Sequence, residues 1–272
     1  MNKAWNVFYE DFITYRGYET VIEGLLRTVE IAVLGLLIGI VIGTLIAIVR
    51  VVPKYKIMPK VLDKIASVYV GFFRGTPMVV QLLLGYFVLL PALNIPADGV
   101  TVAIIIFGLN SGAYVSEIMR SGIQSVDVGQ LEAARALGMS YSSAMLKIVI
   151  PQAIKNILPT LGNEFIVLIK ETSVVSFIAV VDITKAFRSI ADANYEYIIP
   201  YLMLALVYLV LVAIITIGIK FMEKKLQKSD RANGGENVED KEGFIKKIVN
   251  KIKGKNVSDE KENNTNKEAT EK

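Results

Sequence analysis

Nineteen consecutive residues, Ile31–Val49, carry no charge. A helix rises 1.5 Å per residue, so a run of this length spans most of a ~30 Å hydrocarbon core. Within it Gly35, Gly39 and Gly43 repeat every four residues and put a smooth ridge on one helix face. Ridges of this kind let two membrane helices approach closely. The expected partner is another helix of the same chain rather than a second subunit. Four further runs read as spans: about Pro77–Ala92, Val100–Met119, Ile157–Val180 and Ile198–Ile219. Thr76–Pro77 is expected to open the second, with a capping hydroxyl and proline at the first helical position. Lys64–Phe73 is expected to lie along the interface, with Arg74 at the water boundary. The fourth run is interrupted by Glu164, Lys170 and Glu171.

Composition sharpens this reading once charge is located. The chain is 53% hydrophobic, with a mean hydropathy of +0.48. Residues 220–272 hold 14 of the 30 Lys+Arg and 11 of the 26 Asp+Glu, so the preceding body is far more apolar than the average. A soluble enzyme is excluded. There is no Cys and no His, which removes thiolate chemistry and the commonest general base. No G-x-x-x-x-G-K-S/T run is present to cradle nucleotide phosphates, so any ATP energy must enter through another polypeptide. The pI of about 9.0 fits the Lys/Arg enrichment of cytoplasmic loops and gives no reason to invoke nucleic acid.

With five spans, residues 50–76, 120–156 and 220–272 share one side and hold 24 Lys+Arg, against five on the other. Positive charge stays inside, which places the N-terminus outside and the C-terminus in the cytoplasm. The first twenty residues lack the basic-then-apolar order of a signal peptide. Three parts follow: an external segment 1–24, a membrane domain 25–222 and a charged cytoplasmic tail 223–272.

The most informative loop joins the third and fourth spans. It reads Glu132-Ala133-Ala134-Arg135-Ala136-Leu137-Gly138, then nine residues, then Ile148-Val149-Ile150-Pro151. Gly129–Leu137 is expected to be a short helix, ended by Gly138 in a conformation glycine adopts at little cost. A second short segment, Tyr141–Val149, precedes Pro151, which is expected to start the next helix. The stretch resembles the EAA loop, E-A-A-x-x-x-G-x9-I-x-L-P, of permease subunits in binding-protein-dependent ABC importers; Ile150 stands where leucine is usual. Phe73-Arg74-Gly75-Thr76-Pro77, Leu109-Asn110-Ser111-Gly112-Ala113-Tyr114, Leu161-Gly162-Asn163-Glu164-Phe165 and Lys170-Glu171-Thr172-Ser173 narrow the match to the polar amino acid branch. The similarity covers roughly residues 20–225.

This resemblance implies an all-α membrane protein with five core helices, like the type I permease of the methionine importer. It also implies several partners: a second permease subunit, identical or not, a pair of ATP-binding subunits, and an extracytoplasmic substrate-binding protein. The loop at about 129–150, with Glu132, Ala133, Ala134, Gly138 and Pro151, would then couple to the ATPase. ATP and Mg would sit on that partner, with no cofactor, metal or catalytic residue in this chain.

Charged groups inside a span cost about 2.5–3.5 kcal/mol on insertion scales and mark functional candidates. On the third span Asn110, Tyr114 and Glu117 fall on one helical face; on the fourth, Glu164 and Glu171 share a face beside that of Asn163 and Lys170. These residues are candidates for a substrate path, in which carboxylate and ammonium groups would complement an amino acid. Structural ion pairing explains them equally well. An autonomous ion-coupled transporter or channel is the rival reading, with Glu117, Glu164 and Glu171 as coupling sites; a membrane-embedded enzyme ranks third. In the tail, Phe244, Ile248 and Ile252 share a face among lysines, suited to an anionic membrane surface, while Asn256–Lys272 is expected to be disordered.

Overall fold

The computed structural model describes residues 2–52, 55 and 57–232. The basic amphipathic segment in Glu242–Lys255 and the end of the tail lie outside the described residues. Among those described, all regular structure is helical. Met1–Phe221 forms one compact unit; of the second, Met222–Lys272, the described part, Met222–Ala232, is helical.

The chain opens with α1 (Asn2–Tyr9), a wide π-type turn at Glu10–Thr14, and α2 (Gly17–Val51). α2 starts fourteen residues before the uncharged run, because Glu19, Glu23, Arg27 and Glu30 ride on helical turns that precede it. α3 (Ile57–Gly75) breaks sharply into α4 (Met78–Leu84), which passes through a π turn at Gly85–Leu89 into α5 (Leu90–Ala92). α6 (Gly99–Gln124) follows, capped by Asp98, whose carboxylate accepts the Thr101 N–H at 2.6 Å. That hydrogen bond holds the Asp98 carboxyl below its ordinary range. Then come α7 (Val128–Ala136), α8 (Tyr141–Ala144), α9 (Ile150–Glu171), a 3-10 stretch at Thr172–Ile178, α10 (Ile183–Asn194) and α11 (Ile198–Ala232).

By length and composition α2, α6 and the Ile198–Leu226 part of α11 are each apolar enough to cross a membrane. α3 with Met78–Ala92 makes a fourth candidate, bent by 107°. α9, which carries Lys155, Glu164, Lys170 and Glu171, does not meet that criterion, and its α-helical part ends at Glu171 instead of running to Val180. The expected cap of the second run also shifts: Pro77 occupies the N-cap position, while the Thr76 hydroxyl donates to the Phe72 carbonyl at 2.8 Å.

α2 and α6 form the centre. A Cβ on Gly39 would stand 2.6 Å from Ser111 Oγ, and one on Gly43 would stand 2.7 Å from the Val115 side chain. The fit is reciprocal, with Gly108 and Gly112 of α6 receiving Ile38 and Ile42. The glycine ridge therefore serves packing within the chain, as expected. One core cluster surrounds it with Ile31, Leu82, Phe107, Leu168 and Ile169. A second joins Phe8, Val21, Ile183, Phe187 and Ile190, and a third gathers Val115, Val126, Val149, Ala153 and Ile157.

Two prolines follow widened turns. The Leu90 N–H reaches Gly85 O before Pro91, and the Ile150 N–H reaches Met145 O before Pro151. A proline ring clashes with the carbonyl four residues back, and the extra residue in a π turn moves that carbonyl aside. Pro151 thus does not begin a separate helix: residues 141–171 run on without a break.

Candidate functional site

Two groups of residues stand out, one on the loop between α6 and α9 and one inside the membrane body. In the loop, Asp127 caps α7 by accepting the Gly129 N–H at 2.7 Å. The helix stops as Gly138 turns to φ +84°. The Gly138 N–H donates to the Arg135 carbonyl at 3.0 Å and the Met139 N–H to the Ala134 carbonyl at 3.2 Å. These paired bonds form a Schellman stop, which satisfies carbonyls left open at the helix end. Arg135 Nη1 ties the turn down by donating to the Met139 carbonyl at 2.7 Å. Ser140 then caps α8 by accepting the Ser143 N–H.

The result is a helix–turn–helix knob. Ala134 is buried and Leu131 packs against the cluster around Val149, while Glu132, Ala133, Gly138 and Pro151 face outward. Three large apolar side chains are also exposed: Val128, Leu137 and Leu146, with Leu137 at 85%.

Inside the body, the structure separates the residues that share a face of α6. Asn110 is buried at 4% exposure, and its Nδ2 donates to Gln81 Oε1 at 2.8 Å. Gln81 Nε2 in turn donates to the Phe73 and Thr76 carbonyls and to Thr76 Oγ1, at 2.8, 2.9 and 2.8 Å. Tyr69 adds a hydrogen bond from its hydroxyl to the Leu109 carbonyl. Asn110 and Gln81 therefore brace the break between α3 and α4, where backbone carbonyls lose their helical partners. Gln81 was absent from the sequence candidates, although a lone amide in an apolar run is a visible signal.

Tyr114 lies one turn further along α6, partly exposed, with the Arg74 guanidinium 5.5 Å from its ring centre. Glu117 pairs with Arg50 of α2 and, at 2.7 Å, with Arg120. Arg50 also lies 3.9 Å from Asp63 of α3. These pairs join the ends of three helices, so Glu117 is neutralised where it stands.

The α9 residues differ. Glu164 is 8% exposed and faces the buried Ser111 hydroxyl, which has no hydrogen bond of good geometry. Glu171, two turns along, is half-buried and interacts with Glu164 and with the neighbouring Lys170, itself exposed. Among the described residues no ion pair within 4 Å neutralises Glu164, Glu171 or Lys170. No described hydrogen bond or ion pair joins Asn110, Tyr114 or Glu117 to these α9 groups. Among the described residues no cluster of potential metal ligands occurs.

The family pattern described as binding-protein-dependent transport system inner membrane component matches residues 35–228. The chain belongs to that family. An arginine transport system permease of Bacillus subtilis is 39% identical over 210 residues, which cover 77% of this chain and 94% of the relative. A Rickettsia prowazekii protein named for a glutamine transport system permease is 41% identical over 206 residues, covering 76% and 92%. Among solved structures, a chain from an amino acid ABC transporter crystallised with histidines superposes with a TM-score of 0.73 at 39% identity, covering 80% of this permease and 98% of that chain. The inward-facing methionine ABC transporter shares the fold, with a TM-score of 0.65 at 16% identity and coverage of 76% and 96%. The expectation of a methionine-importer-like permease fold is met.

Proposed function

We propose that this chain is the membrane-spanning subunit of an ATP-driven importer for a polar amino acid, working by alternating access. The observation that carries the reading is the α7–Gly138–α8 knob: a rigid, Schellman-stopped projection with exposed Val128, Leu137 and Leu146 inside a permease of this family. Such a knob suits the groove of a separate ATPase, where Glu132, Ala133, Ala134, Gly138 and Pro151 would transmit its closure to α6 and α9. ATP and Mg belong to that partner. A substrate-binding protein would deliver the ligand outside, and a second permease subunit would complete the path.

The substrate reading rests on α9. Among the described residues Glu164 and Glu171 present two carboxylates with no ion pair within 4 Å, a setting that favours an ammonium or guanidinium group. Relatives named for arginine and glutamine bracket the class. The Lys/Arg asymmetry supports a cytoplasmic knob, with the N-terminus outside the inner membrane. An autonomous ion-coupled carrier is not favoured, because the family is a component of binding-protein-dependent systems. The test is reconstitution with the cognate ATPase and binding protein. ATP-dependent uptake of an amino acid supports the reading, and uptake by this chain alone, driven by an ion gradient, would refute it.

A further inference from the structure

The N-terminal helix has two apolar faces with different fates. Phe8 is buried at 4% exposure and stacks on Phe12 with ring centres 5.1 Å apart; both pack against Ile183, Phe187 and Ile190 of α10. Trp5, Tyr9 and Ile13, spaced at four residues and hence in one stripe, point outward with exposures of 50%, 53% and 44%. The same end of the fold exposes Tyr15 at 75% and, at the junction of α10 and α11, Tyr195 at 82%. Segments almost two hundred residues apart in sequence thus place aromatic rings around one end of the molecule, since α1 is fastened to α10 through Phe8.

These rings are continuous with the apolar surface of two candidate spans. Ile22 and Leu26 are exposed on the first turns of α2, and Ile198 and Leu202 on those of α11, from 53% to 66%. Exposed Asn6 and Glu10 flank the stripe with polar groups. Tyrosine and tryptophan are enriched where a chain passes from hydrocarbon to water, because an apolar ring and a polar tip both find their medium there. We propose that α1 is an interfacial anchor, with the Trp5–Tyr9–Ile13 stripe seated among lipid headgroups at the boundary where α2 and α11 enter the bilayer. Anchoring from outside and fastening to α10 from inside would hold α10 at a fixed depth. The inference holds whichever way the chain is oriented.

Trp5 is the only tryptophan, so the full-length chain reports on itself. It is reconstituted in phosphatidylcholine vesicles carrying bromines either beside the headgroups or at the acyl ends, and its fluorescence is compared with that in aqueous iodide. Stronger quenching by the shallow bromines than by the deep ones, with weak quenching by iodide, is expected. Iodide quenching equal to that of free tryptophan amide overturns the proposal. So does equal quenching at both depths, or protection from all three quenchers, which would mark a protein contact. Replacing Tyr9 and Ile13 together by serine should raise iodide quenching of Trp5; no change contradicts a shared lipid-facing stripe.

Discussion

Gln81 holds more of the fold than its single amide suggests. It spans the Asn110 side chain and the open carbonyls at the α3–α4 break, so Gln81→Leu leaves Asn110 only its 3.4 Å bond to the Phe73 carbonyl and takes the amide donor from the Thr76 carbonyl. An unmet buried polar group costs about 1–3 kcal/mol, and the variant should lose thermal stability accordingly. In a double-mutant cycle Asn110→Leu should cost less in the Gln81→Leu background than alone, because the shared bond is already gone. Additive losses in melting experiments would show that the two amides act independently. Glu171 makes a contrasting case. With no ion pair within 4 Å to break among the described residues, Glu171→Gln should leave assembly and melting intact while lowering uptake of a cationic substrate. A loss of assembly instead would assign the carboxylate a structural role. Polar candidates were readable from sequence as costly groups in apolar runs; their partners were not. Asn110 and Ser111 are neighbours, yet one faces Gln81 of α4 and the other packs beside Gly39 of α2 and faces Glu164 of α9, a division set by helix packing alone.

Between helices, the interlocked glycines leave no room for change. Gly39→Val would drive a side chain into Ser111 across the α2–α6 seam, and overpacking of this kind costs typically 1–3 kcal/mol. Reduced melting temperature and yield in membranes are expected, and an unchanged melting curve would mean the seam can open. Gly138→Val acts differently, since a Cβ there meets nothing within 4 Å and the burden is the positive φ. A left-handed backbone costs a non-glycine residue roughly 1–2 kcal/mol, so the knob should tilt or fray while the membrane helices stand. Insertion into the membrane should survive, with ATP hydrolysis by the complex no longer matched to uptake. Preserved coupling in that variant would argue against docking through this turn. The long apolar runs and the Gly138 stop were legible because period, length and the needs of one backbone angle are local properties. The early start of α2, the π turns before Pro91 and Pro151, and the 3-10 exit from α9 were not. There, Ser173, Thr172 and Ser176 hydroxyls take the carbonyls of Lys170, Ile169 and Ser173, local bonds three residues back that compete with the helix and that propensity alone does not announce.

At the scale of the whole molecule, the chain is a membrane component of a binding-protein-dependent transport family. Apolar faces on α2 and α11 remain open: none of the apolar window of α11 is buried within this chain, as befits a helix meeting lipid or another subunit. The sequence carries no G-x-x-x-x-G-K-S/T run, and Val128, Leu137 and Leu146 are exposed on the knob. We propose that this permease moves an amino acid only when an ATPase works on that knob. Uptake by proteoliposomes holding the permease, its ATPase and its binding protein, with and without ATP and with an ATPase defective in hydrolysis, tests it most directly. Accumulation that requires ATP hydrolysis, the binding protein and an intact turn at Gly138 is expected. Accumulation by the permease alone under an imposed ion gradient, indifferent to ATP, would contradict it.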